Sequence, residues 1–186
     1  RRLSPESEKE QVTQTMQNFT FHNPTRILFG KGREDEVGTV AREYGSRALV
    51  HFGGDYLRKN GLLDRIEASL RAAGIAFVEY DGVVPNPRLS TVKEGIRLCR
   101  ENQLDFVLAI GGGSAIDSSK AIAAGACMEG DLWDCFTGKA QVQKALPIGV
   151  VLTIPASGSE SSKACIITKD EGSQKRMCSS PHILPK

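Results

Sequence analysis

The residues with the clearest chemical potential follow an apolar run in the middle of the chain. Gly111-Gly112-Gly113-Ser114 come directly after residues 105–110, and Asp117 and Lys120 follow on the same predicted helix. Glycines between a strand and a helix let a phosphate approach the backbone, and the N–H groups and dipole of the helix start attract an anion. The alternative is a tight turn without a ligand. The pattern is not the G-x-G-x-x-G fingerprint of dinucleotide-binding loops, so the motif alone is weak. We predict a phosphate-binding loop here because of its position and its trailing polar residues.

A second candidate, Gly53-Gly54-Asp55, follows the apolar run 48–52. In nucleotide-binding folds, a carboxylate near the end of such a strand accepts hydrogen bonds from a ribose diol. The same carboxylate would repel an added 2′-phosphate, which favours NAD over NADP. The alternative is an ordinary turn that contains an aspartate.

A third candidate is the loop 153–160, which follows another apolar run. The hydroxyls of Thr153, Ser157 and Ser159 could hold a nicotinamide amide or a pyrophosphate. Taken alone, the segment is also typical of a solvated loop, so it gains meaning only beside the other two candidates.

The sequence offers no metal site and no nucleophile. His22, His51 and His182 are far apart, and neither an H-E-x-x-H motif nor a G-x-S-x-G elbow is present. The five cysteines form no C-x-x-C pair, which indicates reduced thiols that serve mostly as small buried side chains. We therefore assign no catalytic residue and no metal ligand to this chain.

Strands and helices alternate around these candidates. Strands are predicted at 48–52, 75–78, 105–110 and 148–154, with extended segments at 19–21 and 26–29. Helices are predicted from about Val37, from Leu63, from Ser90 as an N-cap and from the glycine run, and a hairpin is predicted after Ala164. This order predicts an α/β fold, a Rossmann-like doubly wound parallel sheet. Its carboxyl edge would hold all three candidates.

Composition narrows the function classes. The chain has 186 residues, 40% of them hydrophobic, with a formal net charge of +2. We therefore expect no nucleic-acid partner and no membrane partner. The odd number of cysteines without a C-x-x-C pair predicts a cytoplasmic location. Residues 1–15 are polar and lack apolar periodicity, which predicts a disordered tail ahead of one domain at 16–186.

Together, in this order and spacing, the motifs resemble the iron-containing (group III) alcohol dehydrogenases, in particular the butanol dehydrogenases. The similarity runs from about Met16 to the end of the chain, with one departure at Ser157, where threonine is more usual. It implies hydride transfer between NAD, or NADP, and a small alcohol or aldehyde, in a homodimer when full length. It also implies a Fe²⁺ or Zn²⁺ ion held by a C-terminal helical domain that we expect to begin beyond Lys186. The motifs that carry the resemblance are 29–32, Gly53-Gly54, Val84-Pro85-Asn86-Pro87, Gly111-Gly112-Gly113-Ser114 with Asp117 and Lys120, and 155–160.

The resemblance also implies roles for individual residues. The pyrophosphate would lie on Gly112, Gly113 and Ser114, with Asp117 toward the nicotinamide. The remaining predicted cofactor residues are Gly53, Gly54 and Asp55 at the adenosine ribose, Asn86 beside the dinucleotide, and Thr153, Ser157, Ser159 and Lys175 along the cleft.

Other functions share this architecture. Glycerol dehydrogenases, glycerol-phosphate dehydrogenases and sugar-phosphate cyclases such as dehydroquinate synthase are alternatives within the same fold, although the segment 157–160 favours the alcohol dehydrogenases. A non-catalytic dinucleotide-binding fragment and a plain structural domain are alternatives from other classes. Cofactor binding without turnover would support the former, and the absence of any effect of NAD(H) on melting would support the latter.

Overall fold

A parallel sheet forms the centre of the protein in a computed structural model that describes residues 18–186. The predicted tail at 1–15, and Met16, lie outside the described residues. The strands follow the order β2-β1-β3-β4 and are all parallel, which confirms the predicted α/β class. Their bounds are Arg47–Phe52 (β1), Ala76–Asp81 (β2), Phe106–Gly111 (β3) and Ile148–Leu152 (β4).

Helices connect the strands, and a small antiparallel hairpin follows them. The α-helices are Val37–Ala41 (α1), Tyr56–Lys59 (α2), Leu62–Ala72 (α3), Leu89–Glu101 (α4), Gly113–Ala126 (α5) and Trp133–Thr137 (α6). The hairpin pairs Ala164–Thr168 (β5) with Lys175–Ser179 (β6), as its sequence predicted. Short 3₁₀ turns lie at Arg33–Glu36, Ser159–Ser161, Glu171–Ser173 and Pro181–Ile183. None of the helices within residues 18–186 is long and apolar enough to cross a membrane.

The sheet is covered on both faces because alternate residues of its strands point to opposite sides. Leu49 and Val107 pack with α4, α5 and α6 in one core. Val50 and Leu108, the next residues on the same strands, pack with α1 and α3 in a second core on the opposite face. Each fully buried aliphatic side chain contributes about 1.5–3 kcal/mol relative to exposure. Continuous apolar strands therefore position the loops at the sheet's carboxyl edge on a rigid base.

Two local predictions are wrong. No strand forms at 19–21 or 26–29, where Phe19 and Phe29 are 81% and 96% exposed and so gain little from burial. Ser90 does not cap α4, which begins one residue earlier at Leu89. Instead, the Ser90 hydroxyl donates to Asp170 Oδ1 at 2.9 Å, and no local sequence signal reveals a partner so distant along the chain.

One histidine is part of the core between the sheet and α5. His51 on β1 is fully buried, and its ring stacks on Tyr80 with centroids 4.9 Å apart. Its Nδ1 lies 3.1 Å from the Tyr80 carbonyl oxygen, and its Nε2 lies 2.8 Å from Ser118 Oγ. Because a carbonyl only accepts, Nδ1 carries the proton in the neutral ring and Nε2 accepts from the Ser118 hydroxyl. Burial lowers the pKa of His51 from 6.5 to about 4.

We expect the stability of the fold to depend on pH through His51. The unfolded chain takes up a proton near pH 6.5, whereas the folded chain resists it until about pH 4. The free energy of unfolding should therefore fall as pH decreases through this window, by on the order of 3 kcal/mol in total. Denaturant melts of His51→Gln should lose this slope, while the exposed control His182→Gln should keep it. An unchanged slope in His51→Gln would contradict the assignment.

Candidate functional site

A cavity of about 840 Å³ opens at the carboxyl ends of the strands. Parallel α/β sheets bind ligands at this edge, and the volume suits a cofactor-sized molecule. Of the twelve predicted site residues, five line this cavity. They are Gly53 after β1, Gly112, Gly113 and Ser114 between β3 and α5, and Thr153 after β4.

Two of the three central glycines are required by the fold itself. Gly111 has φ +149°, and an added Cβ would lie 2.8 Å from Cβ of Ala115. At Gly113 an added Cβ would lie 2.6 Å from Ser157 Oγ, so the loop that follows β4 packs directly over the start of α5. The structure thus brings Ser157 to the glycine run, although Ser157 does not line the cavity.

Gly112 differs from both neighbours. Its backbone, at φ −98° and ψ −160°, is open to any residue. The nearest atom to an added Cβ would be Ile154 Cβ at 3.6 Å, an ordinary contact. Because the neighbouring Ile154 also lines the cavity, a side chain here would extend along the cavity wall without a clash. The fold does not require glycine at position 112, but the absence of a side chain there leaves this wall of the cavity unobstructed.

The start of α5 has the features of an anion-binding site. Gly113 and Ser114 lie in the first turn, where backbone N–H groups have no partner within the helix. No side chain of the described residues caps this end. In a helix of fourteen residues, the dipole adds positive potential at the same place. The cavity thus presents free donors to a negatively charged group.

A buried ion cluster ties α5 to the loop and the hairpin. Lys120 is fully buried, and its Nζ donates to the carbonyl oxygens of Ser159, Ser162 and Ala164 at 2.6, 2.7 and 2.9 Å. Asp117 accepts from Ser159 Oγ at 2.6 Å and from the backbone N–H of Ile166 at 3.0 Å. Burial lowers the pKa of Lys120, and the nearby Asp117 carboxylate opposes that shift. The cluster holds the predicted residues Asp117 and Ser159 together, behind the cavity rather than on its wall.

Another pair of predicted residues meets across two loops. Lys175 Nζ donates to Asn86 Oδ1 at 2.8 Å, which joins the hairpin to the turn after β2. The backbone N–H of Thr168 donates to the Pro87 carbonyl at 2.8 Å beside them. Neither Asn86 nor Lys175 lines the cavity, but the two are fixed to each other.

The motif after β1 has a largely structural explanation. An added Cβ on Gly53 would lie 2.5 Å from the Val83 carbonyl oxygen, so packing alone requires that glycine. Gly54 has φ +81° and donates its N–H to Asp81 Oδ1 at 3.0 Å. Asp55 points outward, with 78% of its side chain exposed, and lies 3.7 Å from Lys59 Nζ. Only Gly53 of the three therefore reaches the cavity.

The far wall of the cavity consists of residues outside the predicted set. It is formed by Glu34, Tyr56, Asn60 and Arg65, which come from three segments of the chain. Arg65 Nη2 lies 3.1 Å from Glu34 Oε1. The pKa of Glu34 is lowered, first by a backbone hydrogen bond and then by Arg65. No short motif carries this signal, because the pair joins residues that are distant in sequence.

The described residues do not provide a metal site. No group of three or more His, Cys, Asp or Glu side chains lies close enough to hold an ion within residues 18–186. Of the three histidines, His51 is buried, whereas His22 and His182 are exposed.

Comparisons with known proteins give this arrangement a context. Residues 24–186 match the family profile described as iron-containing alcohol dehydrogenase. NADH-dependent butanol dehydrogenase A of Clostridium acetobutylicum is 46% identical over 92% of this chain and 44% of its own length. The NADPH-dependent aldehyde reductase YqhD of Escherichia coli is 37% identical over 91% of this chain and 44% of its own length.

A solved structure agrees with the fold. The crystal structure of NADH-dependent butanol dehydrogenase A from Thermotoga maritima superposes with a TM-score of 0.89 at 45% identity. The match covers 92% of this chain and 43% of that one. The chain thus spans less than half the length of the relatives it matches.

Removing the buried lysine should destabilise this edge of the protein. In Lys120→Met, three carbonyl oxygens lose their donor and Asp117 loses the neighbouring cation, which should cost about 3–5 kcal/mol. The exposed control Lys139→Met should stay within about 0.5 kcal/mol of the parent. Urea denaturation measures both, and equal midpoints for the two variants would show that the cluster is not stabilising.

Proposed function

We propose, from the premise that this chain belongs to the iron-containing alcohol dehydrogenases, that it forms the cofactor-binding half of an alcohol dehydrogenase or aldehyde reductase. Its substrates would be small alcohols or aldehydes, as the names of the related butanol dehydrogenases and aldehyde reductase suggest. The cofactor would be NAD or NADP, which serves as hydride acceptor or donor.

The observation that carries this proposal is the free wall at Gly112. Its backbone conformation and surroundings would accept a side chain, yet any side chain would occupy the cavity at the start of α5. A bound diphosphate needs such close approach to the backbone. The residues present therefore fit a dinucleotide at this place.

The proposed roles of the site residues follow from their positions. Gly112, Gly113 and Ser114 would bind the pyrophosphate with backbone N–H groups and one hydroxyl. Thr153 lines the cavity beside the glycine run, where its N–H donates to the Gly111 carbonyl at 3.1 Å, and Ser157 packs over Gly113, so both could orient the nicotinamide half. The remaining residues would support this arrangement: Asp117 and Ser159 through the Lys120 cluster, and Asn86 and Lys175 through their mutual contact.

The metal requires residues from elsewhere. The family name implies iron, but the described residues hold no candidate ligand cluster. We propose that Fe²⁺ or Zn²⁺ is bound by the part of the full-length protein that corresponds to the rest of the relatives. What residues 18–186 contribute is binding and orientation of the cofactor.

The choice between NAD and NADP rests on charge. Asp55, with Gly53 and Gly54, is proposed to lie near the adenosine ribose, where its carboxylate would disfavour a 2′-phosphate. The contact between Asp55 and Lys59 adds a second effect, because an ammonium group paired with Asp55 is less available to bind that phosphate. We therefore propose NAD as the preferred cofactor.

Gly112→Ala tests the cofactor site directly. The methyl group should weaken NADH binding to the full-length protein at least about tenfold, equivalent to ~1.4 kcal/mol. The melting temperature should not fall, because the backbone conformation suits alanine. Gly111→Ala is the matched control, since its positive φ and close contact should lower the melting temperature instead. NADH titration and thermal melts give both readouts, and unchanged affinity in Gly112→Ala would place the diphosphate elsewhere.

Asp55→Ser tests cofactor choice. Removing the carboxylate should improve the use of NADP relative to NAD by about 5- to 150-fold, which corresponds to roughly 1–3 kcal/mol. The ratio of kcat/KM values for the two cofactors measures this change in the full-length enzyme. Asp64→Ser, on the helix α3, serves as a control that should leave the ratio unchanged. If Asp55→Ser also leaves it unchanged, Asp55 is not near the ribose.

A further inference from the structure

Two cysteines face each other across the hairpin. Cys165 on β5 lies directly opposite Cys178 on β6 in the antiparallel register. Both are buried, at 2% and 7% exposure, and Cys178 is the one buried residue of β6. The proposed function uses neither thiol.

The spacing of the hairpin suits a covalent link between them. Lys169 N donates to Gln174 O at 2.8 Å, and Ser180 N donates to Lys163 O at 2.9 Å. Hydrogen-bonded pairs alternate along such a ladder, so Cys165 and Cys178 also form a hydrogen-bonded pair. The Cα atoms of such a pair lie about 5.5 Å apart, inside the disulfide range of about 4.4–6.8 Å. The Cβ atoms of a hydrogen-bonded pair are typically about 5.5 Å apart, wider than the about 3.5–4.5 Å of a disulfide, so the strands would have to draw together locally and the bond would reduce easily.

The two thiols are not equivalent. The interaction between the two thiols, followed by burial, raises the pKa of Cys165, and the same interaction lowers the pKa of Cys178. A thiol with more thiolate character reacts faster with oxidants. Cys178, which is also the more exposed of the two, is therefore the first to react, and Cys165 is in place to follow.

We propose that Cys165 and Cys178 form a reversible disulfide when the protein meets a hydroperoxide. The Cys178 sulfur attacks the peroxide oxygen, and the O–O bond breaks to give a sulfenic acid and one molecule of water, or alcohol. The Cys165 sulfur then attacks the Cys178 sulfur, the S–S bond forms, and the hydroxyl leaves as water with the thiol proton. Two sulfurs are oxidised by one electron each, and the peroxide is reduced by two.

The link would affect a part of the protein that supports the cavity. The Ile166 N–H, one position beyond Cys165, donates to Asp117, and Lys175 at the start of β6 contacts Asn86. A disulfide would fix the hairpin that carries these contacts. The proposal itself concerns the thiols alone and does not depend on the proposed cofactor or activity.

Other thiols provide the competing outcomes. Cys135 lies near Cys178, and its pKa is raised first by burial and then by that neighbour. Its sulfur also lies 3.6 Å from Met128 Sδ. Cys99 lies on α4, and Cys127 lies at the C-terminal end of α5.

Mass spectrometry of the native protein tests the proposal. Treatment with equimolar hydrogen peroxide, followed by alkylation and digestion, should give one linked peptide pair that joins Cys165 and Cys178. The intact mass should fall by about 2 Da as two thiols are oxidised, the number of free thiols should fall by two, and dithiothreitol should restore both. No linked peptide, or a link between Cys135 and Cys178, would overturn the proposal.

Single variants check the order of the steps. Cys165→Ser should leave Cys178 as a sulfenic acid that dimedone traps, whereas Cys178→Ser should give neither a sulfenic acid nor a link at Cys165. Cys99→Ser is the matched buried control and should form the disulfide as the parent does. Loss of the link in Cys99→Ser, or a dimedone adduct at Cys165 in Cys178→Ser, would contradict the mechanism. Because the mapping of the unmodified protein needs no substitution, poor folding of a variant leaves the test intact.

Discussion

The carboxyl edge of the sheet depends on the hydrogen bonds that the buried ammonium group of Lys120 donates. One side chain on α5 binds three carbonyl oxygens from the loop and the hairpin, at the cost of removing a cation from water. The adjacent Asp117 offsets part of that cost and holds two further groups. Since α5 starts at the cavity, the same helix both forms the proposed anion site and fixes the loop that packs over it.

The glycine run shows how two demands combine within one motif. The fold requires glycine at two of the positions. Gly111 has a positive φ, and a side chain on Gly113 would clash with Ser157. Gly112 has neither constraint, and its lack of a side chain benefits only what occupies the cavity. Gly112, which the fold does not require, is therefore a stronger argument for a ligand than the presence of three successive glycines.

Most of the architecture could be predicted because the signals are local. The run 105–110 is almost continuously apolar, whereas a strand with one face in solvent would alternate apolar and polar residues. The glycines that follow it mark the turn into α5. The site was harder to predict, since its walls depend on contacts between distant segments. Arg65 reaches Glu34, Ser90 reaches Asp170, and Lys120 reaches the loop after β4. Periodicity and propensity carry no information about such pairs. The same limit explains why no strand forms at 19–21 or 26–29, since no neighbouring strand pairs with these segments.

The described residues separate two tasks that an alcohol dehydrogenase must combine. They provide fixed N–H donors, hydroxyls and a rigid loop, all of which would bind and orient a dinucleotide without altering its reactivity. They provide no ligand cluster for a Lewis acid in the range 18–186. Binding energy from the diphosphate, far from the reacting carbon, would then serve to position the nicotinamide against groups supplied by another part of the protein. Such positioning demands rigidity more than chemical reactivity. A loop held by a buried lysine, over a helix start that rests on a sheet covered on both faces, provides it.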